Sequence, residues 1–104
     1  MNHDLYMGEV DEDGRPHGRG ARISKYGGLF EGHFKDGQRH GRGRLIYPSG
    51  QYFEGEFWKD HQNGNGKIVY PKLESMGLEA GSYKLGTWED GEIIECIWYD
   101  KDGN

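Results

Sequence analysis

Phe30-Glu31-Gly32-His33-Phe34 and Phe53-Glu54-Gly55-Glu56-Phe57 decide the fold of this chain. The two stretches lie 23 residues apart and agree in aromatic, acid, glycine and aromatic. The same offset carries Gly41-Arg42-Gly43 onto Gly64-Asn65-Gly66, and Tyr47-Pro48 onto Tyr70-Pro71. Towards the N-terminus it links His40 to His17, Gly41-Arg42-Gly43 to Gly18-Arg19-Gly20, and Gly50 to Gly27. The opening Tyr6-Met7-Gly8-Glu9-Val10 matches the same core at an offset of 24, one residue being added in the first turn. A fixed period of this length is the mark of stacked structural repeats.

Each unit reads as a β-hairpin. In the first strand Phe53, Gly55 and Phe57 alternate with Glu54, Glu56 and Trp58, the two-residue period of a strand. A polar turn follows, Lys35-Asp36-Gly37-Gln38 in one unit and Lys59-Asp60-His61-Gln62 in the next. The second strand starts at Gly-x-Gly and alternates Gly66, Ile68, Tyr70 against Lys67 and Val69. Pro48-Ser49-Gly50 then turns the chain into the next unit. A glycine between two aromatics on one face leaves room for a neighbouring ring or for close backbone approach.

The composition fits this reading. In 104 residues there are 19 glycines, 33% hydrophobic residues, 30% charged residues and 13% aromatics. Glycine spread along the chain opposes a helical bundle, since it costs about 1 kcal/mol per helical position. The aromatic content is too high for a disordered chain. No apolar stretch is long enough to span a membrane as a helix. The whole net charge of −5 sits in residues 71–104; residues 1–70 balance acids and bases. A neutral body with an acidic end argues against nucleic acid as a partner, because phosphate binding needs a clustered basic surface. One cysteine, Cys96, excludes an internal disulfide framework, which favours a reducing, intracellular and cytoplasmic setting. The opening residues show neither a secretory signal nor a transit pattern.

The motif Tyr-x-Gly-x-aromatic, followed by Gly-x-Gly and a Tyr-x-x-Gly turn, is similar to that of the MORN repeat family (membrane occupation and recognition nexus). It recurs from Tyr6 to Gly27, Phe30 to Gly50 and Phe53 to Tyr70. The resemblance implies an all-β fold, an elongated single-layer strip of consecutive antiparallel hairpins. We expect one domain over 1–104, with repeats at about 5–27, 28–50 and 51–71. An insert follows at 72–81, where Glu74 to Ala80 suits one helical turn. A degenerate capping hairpin at 82–99 and a solvated acidic tail at 100–104 complete the chain. Unit one departs from the pattern, with Arg22 and Ser24 where unit two has Leu45 and Tyr47. The capping hairpin lacks Gly-x-Gly. Terminal repeats are often atypical because their outer side meets water.

A ribbon of four hairpins should be roughly 40 Å long at about 4.8 Å per strand. One face should carry the core, through Tyr6, Val10, Phe30, Phe34, Leu45, Tyr47, Phe53, Phe57, Ile68, Tyr70 and Trp88. The other should be polar, interrupted by Met7, Ile46, Trp58, Val69, Ile94, Cys96 and Trp98. Those interruptions are either ordinary strand residues or a face covered by a partner. We take Trp58, Trp98, Ile46 and Val69 as partner-binding candidates, with the two tryptophans as anchors, each contributing over about 1 kcal/mol. Arg39, Arg42 and Arg44, near Arg19 and Arg22, suggest a basic ridge. It would serve cross-strand ion pairs, an acidic protein or an anionic phospholipid headgroup.

Catalytic signatures are not apparent in the sequence, and no cofactor or metal is expected. There is no glycine elbow with a Ser-His-Asp or Cys-His set, and Gly86 to Gly91 lacks the Lys-Ser/Thr of a phosphate loop. His17 and His40 recur as turn residues. Asp11-Glu12-Asp13-Gly14 reads as a charged hairpin turn. Asp100-Lys101-Asp102-Gly103-Asn104 opens like a calcium loop but has no closing Glu. The expected function is therefore a non-enzymatic protein–protein interaction module. It would be a scaffold subunit of a larger assembly, for which the family resemblance suggests a ciliary axoneme or cytoskeletal complex. Homodimer formation through an end hairpin and peripheral membrane binding through the arginines are the further expectations.

Overall fold

The computed structural model describes residues 4–72, 77 and 79–104. Eight strands follow one another: β1 (Leu5–Val10), β2 (Pro16–Ile23), β3 (Leu29–Lys35), β4 (Gln38–Ile46), β5 (Tyr52–Trp58), β6 (His61–Val69), β7 (Tyr83–Glu89) and β8 (Glu92–Tyr99). They form one open sheet in chain order, every neighbour antiparallel. The strip measures 47 × 29 × 20 Å, close to the length the repeat count requires. Most of the helical turn expected between residues 74 and 80 lies outside the described residues.

The hairpins close as their turn chemistry dictates. Asp36-Gly37, Lys59-Asp60 and Asp90-Gly91 have positive φ at both central residues, the requirement of a type I′ turn. The first turn is longer, closed by Asp11 N–H donating to Arg15 O at 2.9 Å. On the opposite margin Ser24 and Tyr47 donate to Gly28 O and Gln51 O. Tyr70 N–H makes the same bond to Ser82 O, so the same closure joins the third hairpin to the fourth. Residues 100–104, expected as a solvated acidic tail, are exposed and form this turn as well. Asp100 N–H donates to Asn104 O at 3.0 Å, and Asp100 Oδ1 accepts from the Asp102 and Asn104 amides. The Asp-x-Asp-Gly pattern of 100–103 is that of Asp11 to Gly14, where Asp11 Oδ1 accepts from Asp13 and Arg15. Both are carboxylate-closed turns, not calcium loops.

The ladder register sorts side chains into rows. On the front face, Gly8, Gly20, Gly32, Gly43, Gly55, Gly66 and Gly86 lie side by side across seven strands, and Cys96 stands in that row on β8. Aromatic rings rest on this glycine floor. Phe30 covers Gly43, Phe53 covers Gly66, and Tyr6 covers Gly20 so closely that a Cβ on any of these glycines would overlap the ring. Phe34, Phe57 and Trp88 stand in the next row and meet those rings edge to face. The result is one ladder, Tyr6–Phe34–Phe30–Phe57–Phe53–Trp88, with centroids 4.8–5.4 Å apart and planes 74–88° apart. Its Phe and Trp members are the buried core, flanked by Leu45, Tyr47 and Ile68.

Two of the expected core positions differ. Val10 is exposed, because the longer first turn and a register shift after Gly8 carry it past the ladder. Tyr70 leaves the ladder and stacks on Trp98, 5.1 Å away. Cys96 and Trp98 were expected on the polar face; they lie on the front, opposite Gly86 and Lys84. A bulge between Thr87 and Trp88 sets the phase of β8, which has no glycine pair to reveal it.

Candidate functional site

Three surfaces could act: the front face beside the ladder, the back face, and the two strand edges. The front holds a cleft of about 350 Å³ between Arg22, Ser24, Phe30, Arg39, Leu45 and Tyr47. It exists because unit one supplies Arg22 and Ser24 where unit two supplies Leu45 and Tyr47. Arg22 stacks over Phe34 at 5.3 Å, and Arg39 over Phe57 at 5.1 Å. Both guanidiniums converge on Asp60, in the turn of the third hairpin. Arg39 Nε donates to Asp60 Oδ1 at 2.8 Å and Arg22 Nη2 at 3.4 Å. The Arg39 amide donates to the same oxygen at 3.1 Å.

Burial alone would raise the Asp60 pKa. The amide and guanidinium of Arg39, with the charge of Arg22, outweigh it and hold the carboxyl below the ordinary range. Asp60 also sits at φ 74°, a left-handed conformation that costs a non-glycine residue energy. The arginine pair offsets that strain. These arginines are therefore cross-unit ties that fasten a turn to the strands before it.

Depressed carboxyl pKa values give the strip a defined acid sensitivity. Asp11 is lowered first by the Arg15 amide, and Asp100 first by the Asn104 amide. A group with a lowered folded pKa stabilises fully above its unfolded value, about 3.9 for Asp, and loses this as pH falls through the folded value. The strip should hold its stability down to about pH 4–5 and weaken below. Asp60→Asn should cost on the order of 1 kcal/mol at pH 7. The difference from the parent should shrink towards pH 2–3. Denaturant midpoints across pH check both statements.

The back face carries a different pattern. Leu5, Ile23, Leu29, Ile46, Tyr52, Val69, Tyr83 and Tyr99 stand opposite one another across all eight strands, an unbroken apolar row. Beside it runs Met7, Ala21, Glu31, Arg44, Glu54, Lys67, Leu85 and Ile97, charged in the middle and apolar at both ends. Arg44 is ion-paired with Glu54 and lies over Tyr52. Arg42 stands opposite Glu56, whose carboxylate accepts from the Asn65 amide at 2.6 Å. At the hairpin-turn margin Trp58 is 51% exposed, its ring 4.8 Å from that of His40.

The seven candidate residues thus divide. Ile46, Val69, Arg42, Arg44 and Trp58 share the back face. Arg39 and Trp98 are on the front, Arg39 against the ladder and Trp98 between Tyr70 and the Lys84 ammonium, which lies 4.6 Å from its ring. Arg39, Arg42 and Arg44 do not form one ridge, because the first faces away from the other two. Sequence reading also passed over Asp60 and the continuity of the Leu5–Tyr99 row. The 23-residue offset linking Leu29, Tyr52, Ile23, Ile46 and Val69 was the available signal for the row.

At the first turn, the ligating atoms of Asp11, His17 and Asp36 lie within 4.8 Å of one another. The Arg15 guanidinium bonds Asp11 at 3.0 Å and approaches Asp36 at 3.9 Å, so much of their charge is already matched.

Repeated hairpins, one sheet layer, a glycine floor and a ring ladder define a β-hairpin repeat protein. The MORN repeat matches at residues 6–24, 30–52 and 53–72, well over half of the chain. The chain belongs to the MORN repeat family. Among curated proteins, no match is found.

Proposed function

We propose that this chain is a non-enzymatic scaffold subunit that docks an apolar segment of a protein partner along its back face. The observation that carries the proposal is the row from Leu5 to Tyr99, which crosses every strand of a sheet braced from the other side by interlocked rings. A single-layer sheet can bury only one face by itself, so a covering partner adds stability to the folded form. Trp58 supplies an aromatic anchor on the same face, and the Arg44–Glu54 and Arg42–Glu56 pairs give the polar border usual for an interface. A ciliary axoneme or cytoskeletal complex in a reducing cytoplasm is the proposed setting. Protein docking is favoured over an anionic membrane surface because the three arginines divide between faces and Arg44 already has its carboxylate.

Affinity capture of the tagged chain from native cells, with mass spectrometry of what copurifies, tests this. Stoichiometric axonemal or cytoskeletal subunits should appear with the parent. Ile46→Asp and Val69→Asp should reduce their recovery tenfold or more, and Trp98→Ala on the front should not. Unchanged recovery with both Asp variants overturns back-face docking. Binding to acidic vesicles that falls as salt is raised, with no protein captured, would favour the lipid reading instead.

A further inference from the structure

The two edges of the sheet are apolar along most of their length, with Glu9 on β1 and Glu92 and Glu95 on β8 as their charged residues. Edge strands are normally defended by Lys, Pro or inward charges. Here β1 and β8 contain none of Lys, Arg or Pro. Of the eleven exposed large hydrophobic side chains among the described residues, seven are on these two strands. Met7 is 76% exposed on β1 and Ile97 63% on β8.

The edges also match one another. Every junction between successive hairpins follows one register, with Gly20 opposite Gly32, Gly43 opposite Gly55 and Gly66 opposite Gly86. β8 occupies the place of β2, β4 and β6 in its hairpin, and β1 that of β3, β5 and β7. Continued by one step, the register sets Cys96 opposite Gly8 of a second copy, whose Asp4 takes the place that Asn104 holds in the Asp100–Asn104 turn, so that turn opens as the copies join. Ile97 then faces Met7, Tyr99 faces Leu5, Trp98 faces Tyr6 and Ile94 faces Val10. Each pair is apolar, each lies in one row, and the back row runs on unbroken from one copy into the next. Charged residues occupy the middle of the neighbouring row and give way to Met7 and Ala21 at one end and to Leu85 and Ile97 at the other, where copies would meet. One pair opposes: Glu95 faces Glu9, whose carboxylate is engaged by the Arg19 amide at 2.7 Å.

We infer that the chain assembles head to tail, β8 of one copy adding β1 of the next as a further strand of a continuous sheet. The contact is heterologous, so each added copy leaves the same pair of edges free and growth does not close at a dimer. Each copy would lengthen the strip by about 38 Å, eight strands at roughly 4.8 Å. The inference rests on the edges and not on back-face docking, and it differs from the expected end-hairpin homodimer in joining unlike ends. Driven by apolar contact and opposed by Glu95 and Glu9, the association should not weaken as salt is raised.

Sedimentation velocity of the full chain over a dilution series reads this directly. The parent should show species beyond a dimer that dissociate on dilution. Met7→Asp blocks the β1 edge and Ile97→Asp the β8 edge, both at exposed positions, and circular dichroism and thermal melts confirm that each still folds. Each variant alone should be monomeric. Mixed in equal amounts they retain one intact β8 edge and one intact β1 edge, and should form a one-to-one dimer that grows no further. A parent monomeric at several hundred micromolar overturns the inference. Dimerisation of Met7→Asp by itself would mean β8-to-β8 pairing and overturns it equally.

Discussion

Phe53→Ala is expected to destabilise the strip by about 3–5 kcal/mol, the range for removing a fully buried phenylalanine. Among the described residues Phe53 is the one large side chain with no exposed surface. Its ring meets Phe57 at 5.4 Å and Trp88 at 4.8 Å, lies over Gly66, and has Leu45 and Ile68 opposite in the ladder. A cavity there cannot collapse easily, because the floor is glycine backbone already in contact across strands. It also cuts the ring ladder between the second repeat and the capping hairpin. In a repeat fold each unit leans mainly on its neighbours, so that interface term is lost with the side chain. The loss is a large share of the 5–15 kcal/mol available to a domain of this size and should lower Tm by about 12 °C or more. Thermal and denaturant unfolding measure it, and the buried Trp88 reports the affected end. A cost below about 1 kcal/mol would mean that the ladder does not hold the strip together.

Much of the architecture could be read from spacing. The period of 23 residues located the hairpins, and Phe-x-Gly-x-Phe alternation located the front face, because in repeats two and three side-chain parity survives intact. The register shift within these hairpins moves the pairing by two residues, which leaves odd and even positions on their original faces. The same parity separates Arg39 from Arg42 and Arg44, so grouping them by proximity in sequence was misleading. β8 was harder. Without a Gly-x-Gly its phase depends on the bulge opposite Thr87 and Trp88, and a shift of one residue turned Cys96 and Trp98 to the other face. Replacement of the covering ring by Lys84 explains why that row tolerates Cys96 in place of glycine.

The site was less legible than the fold. Asp60 finds Arg39 and Arg22 across 21 and 38 residues, through a turn that folds back on earlier strands. Its amide donates to Arg39 O, as Gly37 donates to Pro16 O and Gly91 to Gln62 O. Such contacts arise from the way successive hairpins lean on one another and not from any local pattern. The back row is spelled in the sequence by Leu, Ile, Val and Tyr at equivalent positions, but its meaning as a surface appears only when eight strands stand in register.

Gly43→Ala should cost about 3 kcal/mol, the upper part of the overpacking range, although it adds a single methyl group. Gly43 has no left-handed φ, so alanine meets no backbone penalty there. The obstacle is the Phe30 ring, whose Cε1 and Cζ occupy the space a Cβ needs, with Glu31 O at 3.2 Å beyond. The ring cannot swing aside. Phe34 holds it on one side at 5.2 Å, Phe57 on the other at 5.0 Å, and Arg39 caps it at 5.8 Å. Gly28 provides the control. It too lacks a left-handed φ, but its Cβ would meet only Ile46 O at 3.5 Å, an ordinary contact, so Gly28→Ala should stay within about 0.5 kcal/mol. A double-mutant cycle then isolates the cause. Phe30→Leu removes the ring and is costly itself, but adding Gly43→Ala to it should cost far less than in the parent, a coupling on the order of 2 kcal/mol. Additive costs would show that glycine is required in that row for the backbone alone. Strong coupling would show that the aromatic and the glycine are one structural element, recurring as Tyr6–Gly20, Phe30–Gly43 and Phe53–Gly66 because neither can be kept without the other.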